Sequence, residues 1–323
     1  MAKKDDDGLQ KVGDILRKGP AHLRPPTKTQ LRLVDAAVSI KDKAAEANKN
    51  EIAFHHTVFC QTALPYREVQ ERVWERTNGY VQISVEAGRT FDPNTEKWVD
   101  VPLPFGPKAR IIMIHLDTQA VMKQSPLVDI QNSMTAFVKT LQGRDPTGPE
   151  LRNFRQQSAA ISNATFRLFA KDEKGTARQA NVPIVSGFEL WYPKDERQHT
   201  LWPSFVELSE KYYETLIRHA VPLDHRAIAA LQHSALALDI YNWLAQRLCR
   251  VEGKRPYTLV WSLVQAQFGQ GYAELRFFRR VFLKTLKVVL TQYPGAKVEP
   301  TELGLALHNS RPPIAPKFIA SGL

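Results

Sequence analysis

Hydrophobic and basic residues follow helical spacing along Gly271–Leu290. At about 100° per residue, one side of this stretch carries five cations, Arg276, Arg279, Arg280, Lys284 and Lys287. The opposite side carries apolar residues, Leu275, Phe278, Phe282, Leu286 and Val289, extended by Phe277, Val281 and Val288. A solvated helix usually pairs its cations with Glu four residues away, but the one acid here is Glu274, in the first turn. The pattern predicts one face for a core and one for an anionic partner.

The segments around this basic helix predict a helix-turn-helix module with a trailing hairpin. Its elements are, in order, a helix over His225–Cys249 capped by Asp224, a possible short strand within Glu252–Thr258, a helix over Leu259–Phe268, a tight turn at Gly269-Gln270-Gly271, the basic helix, and a hairpin of Lys297–Glu299 with Leu303–His308. Two helices that meet at a Gly turn and precede a β-hairpin describe a winged helix.

The same order of elements occurs earlier in the chain. It comprises a helix from Pro107 to Met122, a short strand at Pro126–Ile130, a helix over Met134–Leu141 capped by Ser133, a turn at Asp145–Pro149, a helix over Glu150–Asn163, and a hairpin of Thr165–Lys171 with Ile184–Trp191, to which Leu201–Leu208 could add a strand. The recurrence suggests a duplication, with copies near 107–192 and 225–308.

The region before the first copy predicts further structure. Pro65 starts a short predicted helix that reaches Trp74, and Tyr80–Glu86 is predicted to form a hairpin with Lys97–Val101. We therefore predict an α+β protein of tandem winged-helix domains with flexible termini. The predicted divisions are a mobile arm (1–50, with a possible helix at 30–43), a first domain with an extra hairpin and a possible role in dimerisation (51–210), the main DNA-binding domain (211–308) and a tail (309–323).

Charge concentrates in the second copy. The chain of 323 residues carries 44 Lys and Arg against 33 Asp and Glu, a net charge of +11, and 43% of its residues are hydrophobic. Between residues 225 and 290, ten Lys and Arg face three acids, a balance of +7. Such a surface indicates phosphate or an anionic membrane as its partner. Without an apolar signal core or a run of about 20 apolar residues, we expect a cytoplasmic protein.

No arrangement of catalytic residues is evident. The chain lacks the P-loop pattern and any His-x-His pair, and Cys60 and Cys249 are too far apart in sequence to suggest a zinc site or a disulfide framework. The adjacent His55 and His56 cannot easily bind one ion together, and Tyr212-Tyr213 is a possible nucleophile pair only if a metal lies beside it. We expect no enzyme activity, no metal and no cofactor, with an origin-nicking enzyme or a primase as the less favoured alternative.

Several dispersed motifs are similar to those of one protein family. They are Phe59–Arg67, Leu103–Arg110, Phe137–Gln142 with Glu150–Gln157 and Phe166–Leu168, and Asp239–Ala245. On these motifs the chain resembles the plasmid-encoded RepA family of replication initiators, of the broad-host-range type, over about residues 52–308. Where the family commonly opens the first helix with Gly-Ser/Ile-Pro-Arg, this chain has Gly106-Pro-Lys-Ala-Arg110.

The resemblance implies a function that composition does not. Such initiators bind double-stranded DNA at iterons, the repeated sequences of a plasmid origin, and open an adjacent AT-rich region. They help to recruit the host initiator and replicative helicase, and they often repress their own promoter as homodimers while initiating as monomers. A winged-helix transcriptional repressor without any role in initiation is the alternative. Association with a membrane is disfavoured, because the apolar side of the basic helix suits a core better than lipid.

The predicted DNA-binding residues follow from the basic helix. Arg276, Arg279 and Arg280 are expected to contact bases or phosphates, and Lys284 and Lys287 to contact phosphates. The remaining residues of the predicted interface are Gln270 and Tyr272 at the helix start, Lys297 on the wing, and a weaker set in the first copy, Arg152, Arg155 and Gln156. The first copy either binds DNA or forms a dimer interface.

Overall fold

The structure is a computed structural model that describes residues 27–42, 51–79, 81–92, 95–130, 133–171, 177–191, 202–253 and 255–314. Helices and short strands alternate along these ranges, and the strands lie in several small antiparallel sheets. The α+β class predicted from sequence is confirmed.

The first part of the chain forms two hairpins instead of the predicted helix and one hairpin. Its elements are α1 (Lys28–Asp42), β1 (Ile52–His56), α2 (Thr57–Gln61), β2 (Val73–Asn78), β3 (Val81–Glu86), β4 (Arg89–Asp92) and β5 (Lys97–Asp100). The helix predicted from Pro65 is wrong, because Trp74 belongs to β2 and its indole donates to the Ala63 carbonyl (2.9 Å). The predicted pairing of Tyr80–Glu86 with Lys97–Val101 is also wrong, because β3 pairs with β2 and β5 with β4.

The helices of the first module match their prediction. The module comprises α3 (Gly106–Lys123), β6 (Leu127–Asp129), α4 (Met134–Gln142), α5 (Gly148–Asn163), β7 (Thr165–Lys171), β8 (Ala177–Pro183), β9 (Val185–Trp191) and β10 (Trp202–Leu208). The Ser133 hydroxyl caps α4 by accepting from the Ala136 amide (3.2 Å), and Gly143 ends the helix at φ 69°. Thr147 and Glu150 form a capping box at the start of α5.

The wing of the first module differs from its prediction. β7 pairs with β3 and β8 in a sheet of order β2-β3-β7-β8, whereas β9 pairs with β10 and β10 with β6. The predicted hairpin of Thr165–Lys171 with Ile184–Trp191 is therefore wrong. β7 and β8 are an insertion that carries the buried Phe166 into contact with Phe59 (centroids 5.7 Å). The sheet order β6-β10-β9 is the winged-helix arrangement, and Trp202–Leu208 supplies the last strand of the wing, while Leu201 of the predicted strand lies outside the described residues.

The second module repeats this topology. Its elements are α6 (Glu210–His219), β11 (Ala220–Asp224), α7 (His225–Leu231), α8 (Ala235–Arg247), β12 (Tyr257–Val260), α9 (Trp261–Phe268), α10 (Leu275–Gln292), β13 (Val298–Pro300) and β14 (Gly304–Leu307). The sheet order is β12-β14-β13. The single helix predicted over His225–Cys249 is wrong, because the chain breaks after Leu231 and Ser234 caps a new helix by accepting from the Ala237 amide (3.2 Å).

A strand pair and a buried ion pair join distant parts of the chain. β1, which precedes the first module, pairs with β11 at the start of the second. Arg110 of α3 donates to both carboxylate oxygens of Asp239 in α8 (2.6 and 2.7 Å), and both side chains are buried. The division at residue 210 stays a prediction.

Both predicted flexible termini contain packed residues. α1 packs on α7 and α10, and its Ile40 is 5% exposed, so residues 28–42 belong to the folded body and not to a mobile arm. At the other end, the Ser310 amide donates to the Leu248 carbonyl (3.2 Å) and Ile314 is buried. Residues 1–26, 43–50 and 315–323 lie outside the described ranges.

Candidate nucleic-acid interface

α10 is held by an aromatic core on one side. Phe278, Phe282, Leu286 and Val289 are all buried, as the helical spacing predicted. Phe282 contacts Phe278 (5.4 Å), Phe268 (5.6 Å) and Trp261 (6.0 Å between ring centroids), so α10 is fixed against α9. These contacts fix which face of the helix points outward.

The outward face of α10 is basic. Arg276, Arg280, Lys284 and Lys287 are exposed and form one stripe, about 17 Å long at 1.5 Å per residue. Arg276 pairs with Glu274 (2.7 Å) just before the helix. Within the described ranges, no side chain forms a hydrogen bond or an ion pair with Arg280, Lys284 or Lys287. The stripe therefore presents cations that are available to an anionic partner.

Phe277 belongs to the basic face and not to the apolar side that was predicted for it from the sequence. It is 40% exposed, and its ring lies 4.6 Å from the Arg276 guanidinium carbon and 5.5 Å from that of Arg280. On the helical wheel, Phe277 falls only about 20° from Lys284, so its exposure follows from the spacing. Leu275 was also assigned to the apolar side and is 39% exposed at the helix start. The Phe277 ring orients both guanidiniums through cation–π contacts.

Arg279 is used inside the module. One of its guanidinium nitrogens donates to the Thr301 carbonyl (3.2 Å), and its guanidinium carbon lies 4.8 Å from the Trp261 ring. The Trp261 indole donates to the same carbonyl (3.0 Å). Arg279 therefore joins α10 to the turn between β13 and β14, and its charge is half-buried there.

Gln270 and Tyr272 build the turn before α10. The Gln270 amide nitrogen donates to the Leu64 carbonyl (3.0 Å), and its oxygen accepts from the Tyr66 amide (3.1 Å). Tyr272 is half-buried with its ring against Phe278 (5.9 Å). These contacts attach the turn to the segment that precedes the first module, so both side chains position the helix.

The wing carries charge of both signs. Lys297 is exposed just before β13, and its amide donates to the Ser310 hydroxyl (3.0 Å). Glu299 and Glu302 are exposed further along the hairpin. The Lys297 side chain is free to reach a phosphate, whereas the hairpin tip itself is acidic.

In the first module, α5 occupies the position that α10 has in the second. Arg152 and Arg155 are exposed and three residues apart, so they share one face, while Gln156 is half-buried. The opposite face buries Phe154 and Gln157, and the Gln157 oxygen accepts from the Phe105 amide (2.7 Å). The first module thus offers a smaller basic face than the second.

The residues considered for catalysis lie in a closed polar network. The His55 ring nitrogen Nδ1 contacts Asp117 (2.7 Å), and the Tyr212 hydroxyl donates to the other oxygen of the same carboxylate (2.7 Å). Burial raises the pKa of the Tyr212 phenol well above its ordinary value and lowers the pKa of His56 to about 4. Tyr212 is fully buried, so no substrate reaches its hydroxyl in this conformation.

The described ranges contain neither a cluster of metal ligands nor a helix that could span a membrane. Nowhere in them do three or more His, Cys, Asp or Glu residues come together as a metal ion would require. Among the helices that the structure describes, none combines the length and the apolar character needed to cross a membrane.

Comparison with known proteins gives a matching family model and structural neighbours that include two structures of RctB domains. A crystal structure of domains 2 and 3 of RctB, as a selenomethionine derivative, aligns with a TM-score of 0.48 at 11% identity, covering 77% of this chain and 95% of that one. A second structure of RctB domains 2–3, residues 155–483, gives 0.45 at 11% identity over 75% and 83%. No curated protein sequence matches this chain.

The family model described as plasmid-encoded RepA protein matches residues 103–263. This range runs from the start of the first module into α9 of the second, and it includes Leu103–Arg110, Phe137–Gln142 and Asp239–Ala245, motifs that carried the resemblance. The resemblance is confirmed. Residues 103–263 therefore resemble plasmid-encoded RepA proteins, as the motifs predicted.

Proposed function

We propose that this protein is a plasmid replication initiator that binds duplex DNA through α10. The observation that carries the proposal is the exposed stripe of Arg276, Arg280, Lys284 and Lys287 on the helix that follows the Gly turn of a winged helix. The match of residues 103–263 to the plasmid-encoded RepA family supports the role in replication.

The geometry of α10 suits a major groove. That groove is about 12 Å wide and admits an α-helix, and a recognition helix contacts bases mainly through its N-terminal residues. Arg276 and Arg280 lie in the first two turns of α10, where a guanidinium can donate two hydrogen bonds to guanine O6 and N7. Lys284 and Lys287 lie further along and contact phosphates, which fix the register of the helix on the duplex.

The other predicted residues take different parts in this proposal. Gln270, Tyr272 and Arg279 position α10, because their polar groups or rings are engaged within the protein. Lys297 contacts a phosphate beside the wing. A second and weaker contact is formed on α5 by Arg152, Arg155 and Gln156, the same three residues that were predicted from the sequence. Two modules in one chain fit a long site with two groove contacts.

The finer features of the proposal rest on the resemblance to initiators. We propose that the bound sites are iterons in a plasmid origin, that the protein helps to recruit the host initiator and helicase, and that it represses its own promoter. A homodimer in equilibrium with a monomer belongs to the same proposal. The function is binding without catalysis.

A transcriptional repressor is the second candidate, because the basic face of α10 would serve it equally. The two roles differ in whether the gene and its flanking repeats maintain a plasmid. A plasmid that carries only this gene and its flanking DNA is expected to replicate in a suitable host. Failure to replicate, with DNA binding intact, would favour the repressor.

The test of the interface is a gel-shift titration on DNA that flanks the gene. Arg276→Ala with Arg280→Ala is expected to raise Kd by about tenfold or more, since each good bidentate base contact contributes about 1–3 kcal/mol. A matched control replaces two exposed cations of α6, Lys211 and Arg218, with Ala and removes the same charge from another helix. Equal Kd values for the two double variants would contradict the assignment of α10.

A further inference from the structure

A second basic cluster lies where four distant segments of the chain meet. It comprises Arg32 of α1, Lys108 of α3, Arg144 of the turn before α5, and His233 between α7 and α8. Arg32 donates to the His233 ring nitrogen Nε2 (2.7 Å) and to the Ala230 carbonyl (3.1 Å). Because Arg is always a donor, His233 accepts here and its ring is neutral. The cluster thus connects α1 to both modules.

Lys108 is the unusual member of the cluster. Its ammonium nitrogen is buried against the Phe154 ring (4.8 Å), and it has no hydrogen-bond partner among the described residues. The Nε nitrogen of Arg32 is likewise buried and unpartnered within the described ranges. A buried charge is costly unless an opposite charge or hydrogen bonds compensate it. Arg32 and Lys108 therefore each have a buried donor that no acceptor among the described residues satisfies.

The charges of the cluster act on one another. Burial lowers the pKa of Lys108, and the nearby charges of Arg144 and Arg32 lower it further, against the opposite effect of Glu150. Burial also lowers the pKa of His233, and the three cations add to that effect. Glu150 is committed to Arg144 and to the Thr147 cap, so it neutralises Arg144 and leaves Arg32 and Lys108 in excess.

We propose that Arg32 and Lys108, with Arg144 and His233 at the edge, bind a phosphate group. A guanidinium and an ammonium are the side chains that recognise phosphate oxygens, the first as a fork and the second as a point charge. The phosphate would compensate the excess charge, and the two unpartnered donors would turn outward from their buried positions to reach its oxygens. The phosphate group belongs either to the DNA backbone or to a free phosphate ester.

The position of the cluster favours the DNA backbone as the source of the phosphate group. This choice of source rests on the proposed function. Arg144 precedes α5, the helix that exposes Arg152 and Arg155. A backbone phosphate held there would attach α1 and both modules to one point of the duplex. α1 would then be part of the DNA-binding surface.

The test uses the full chain with Lys108→Met and, separately, Arg32→Gln. The control is Lys41→Gln, which removes an exposed cation from the far end of α1. Fluorescence anisotropy on a labelled duplex from the flanking DNA gives Kd at several salt concentrations. Isothermal titration calorimetry with inorganic pyrophosphate probes the free-phosphate source.

For the DNA source, each cluster variant is expected to bind the duplex about tenfold or more weakly at low salt, because a hydrogen bond to a charged group is lost. The slope of log Kd against log salt should fall by about 0.9, the loss of one phosphate contact. For the free-phosphate source, pyrophosphate binds the wild type and the Lys41 control but not the cluster variants, and the duplex slope is unchanged. Unchanged values in both assays overturn the proposal.

Two controls separate this inference from instability and from the proposed function. Because the Lys108 ammonium has no described hydrogen-bond partner and methionine can keep the contact with the Phe154 ring, Lys108→Met should unfold in phosphate-free buffer at or above the wild-type temperature. A lower temperature would show that the ammonium has a structural partner and would overturn the site. If the Arg276/Arg280 variant alone weakens duplex binding and pyrophosphate does not bind, the site fails while the proposed function stands. If only the cluster variants weaken duplex binding, the assignment of α10 as the DNA-binding helix fails while the phosphate site stands.

Discussion

The buried pair of Arg110 and Asp239 should control both stability and the position of α10. Arg110 donates five hydrogen bonds, to both Asp239 carboxylate oxygens and to the carbonyls of Leu64, Pro65 and Gly106. The Leu64 carbonyl also accepts from Gln270 in the turn before α10. Loss of the guanidinium would therefore disturb the segment on which that turn is built.

The perturbation is Arg110→Met, which keeps the length of the side chain and removes its charge. Asp239 would then be a buried carboxylate without its partner, a situation that costs about 3–5 kcal/mol. A protein of ordinary stability has about 5–15 kcal/mol in total, so the variant should lose a large part of it. Burial already raises the pKa of Asp239, and without Arg110 the carboxyl protonates more easily. The destabilisation should therefore shrink as the pH falls.

The assay is urea unfolding of Arg110→Met, Asp239→Leu and the double variant, followed by tryptophan fluorescence. Replacing both members of a buried ion pair is often neutral, so the double variant should be at least about 2 kcal/mol more stable than Arg110→Met. A double-mutant cycle then gives the coupling energy. The reasoning is refuted if Arg110→Met costs under about 1 kcal/mol, a value typical of an exposed pair, or if the double variant is no more stable than the single one.

Three further predictions follow from single positions. Phe277→Ala should weaken duplex binding by about 0.5–1 kcal/mol and leave the stability of the protein unchanged, because the side chain is exposed. Phe278→Ala should instead cost about 3–5 kcal/mol of stability. Equal effects of the two variants on stability would contradict the assigned faces of the helix. Gly304→Ala should lower the free energy of unfolding by about 2 kcal/mol or more, because the added Cβ would lie 2.0 Å from a carbonyl oxygen of β12. The control is Gly295→Ala, whose Cβ would lie 3.8 Å from its nearest neighbour and which should be near neutral in thermal unfolding. Burial lowers the pKa of His56 to about 4, so as the pH falls from about 6.5 to 4 the unfolded chain takes up the proton before the folded protein does, and the free energy of unfolding decreases. His56→Gln should reduce the slope of the free energy of unfolding against pH in this window by about 1 kcal/mol per pH unit. An unchanged slope would contradict the assignment.

The helices were predictable because their signals are local. The 3.6-residue spacing of Phe278, Phe282 and Leu286 determines the buried face of α10, and Ser133 with Gly143 bounds α4. The strands were also recognisable, but the partner of a strand is not a local property. β7 and β9 both alternate, and nothing within either one shows that they belong to different sheets.

The candidate site shows the same limit. The exposed stripe of Arg276, Arg280, Lys284 and Lys287 follows from helical spacing. The internal roles of Gln270 and Arg279 depend on carbonyls about 200 and 20 residues away, which no sequence pattern indicates. The cluster of Arg32, Lys108, Arg144 and His233 is assembled from four segments, and none of its members stands out in sequence.

The position of α10 on the duplex is the central claim, and directed cleavage from that helix tests it most directly. In a Cys249→Ser background, Lys284→Cys carries an iron chelate that cleaves nearby DNA, and Lys211→Cys on α6 serves as the control, since both native side chains are exposed. On the DNA that flanks the gene, the chelate at position 284 is expected to cut at discrete positions that recur once per repeat. Cleavage that is diffuse, or no stronger than from position 211, would contradict the binding of duplex DNA by α10.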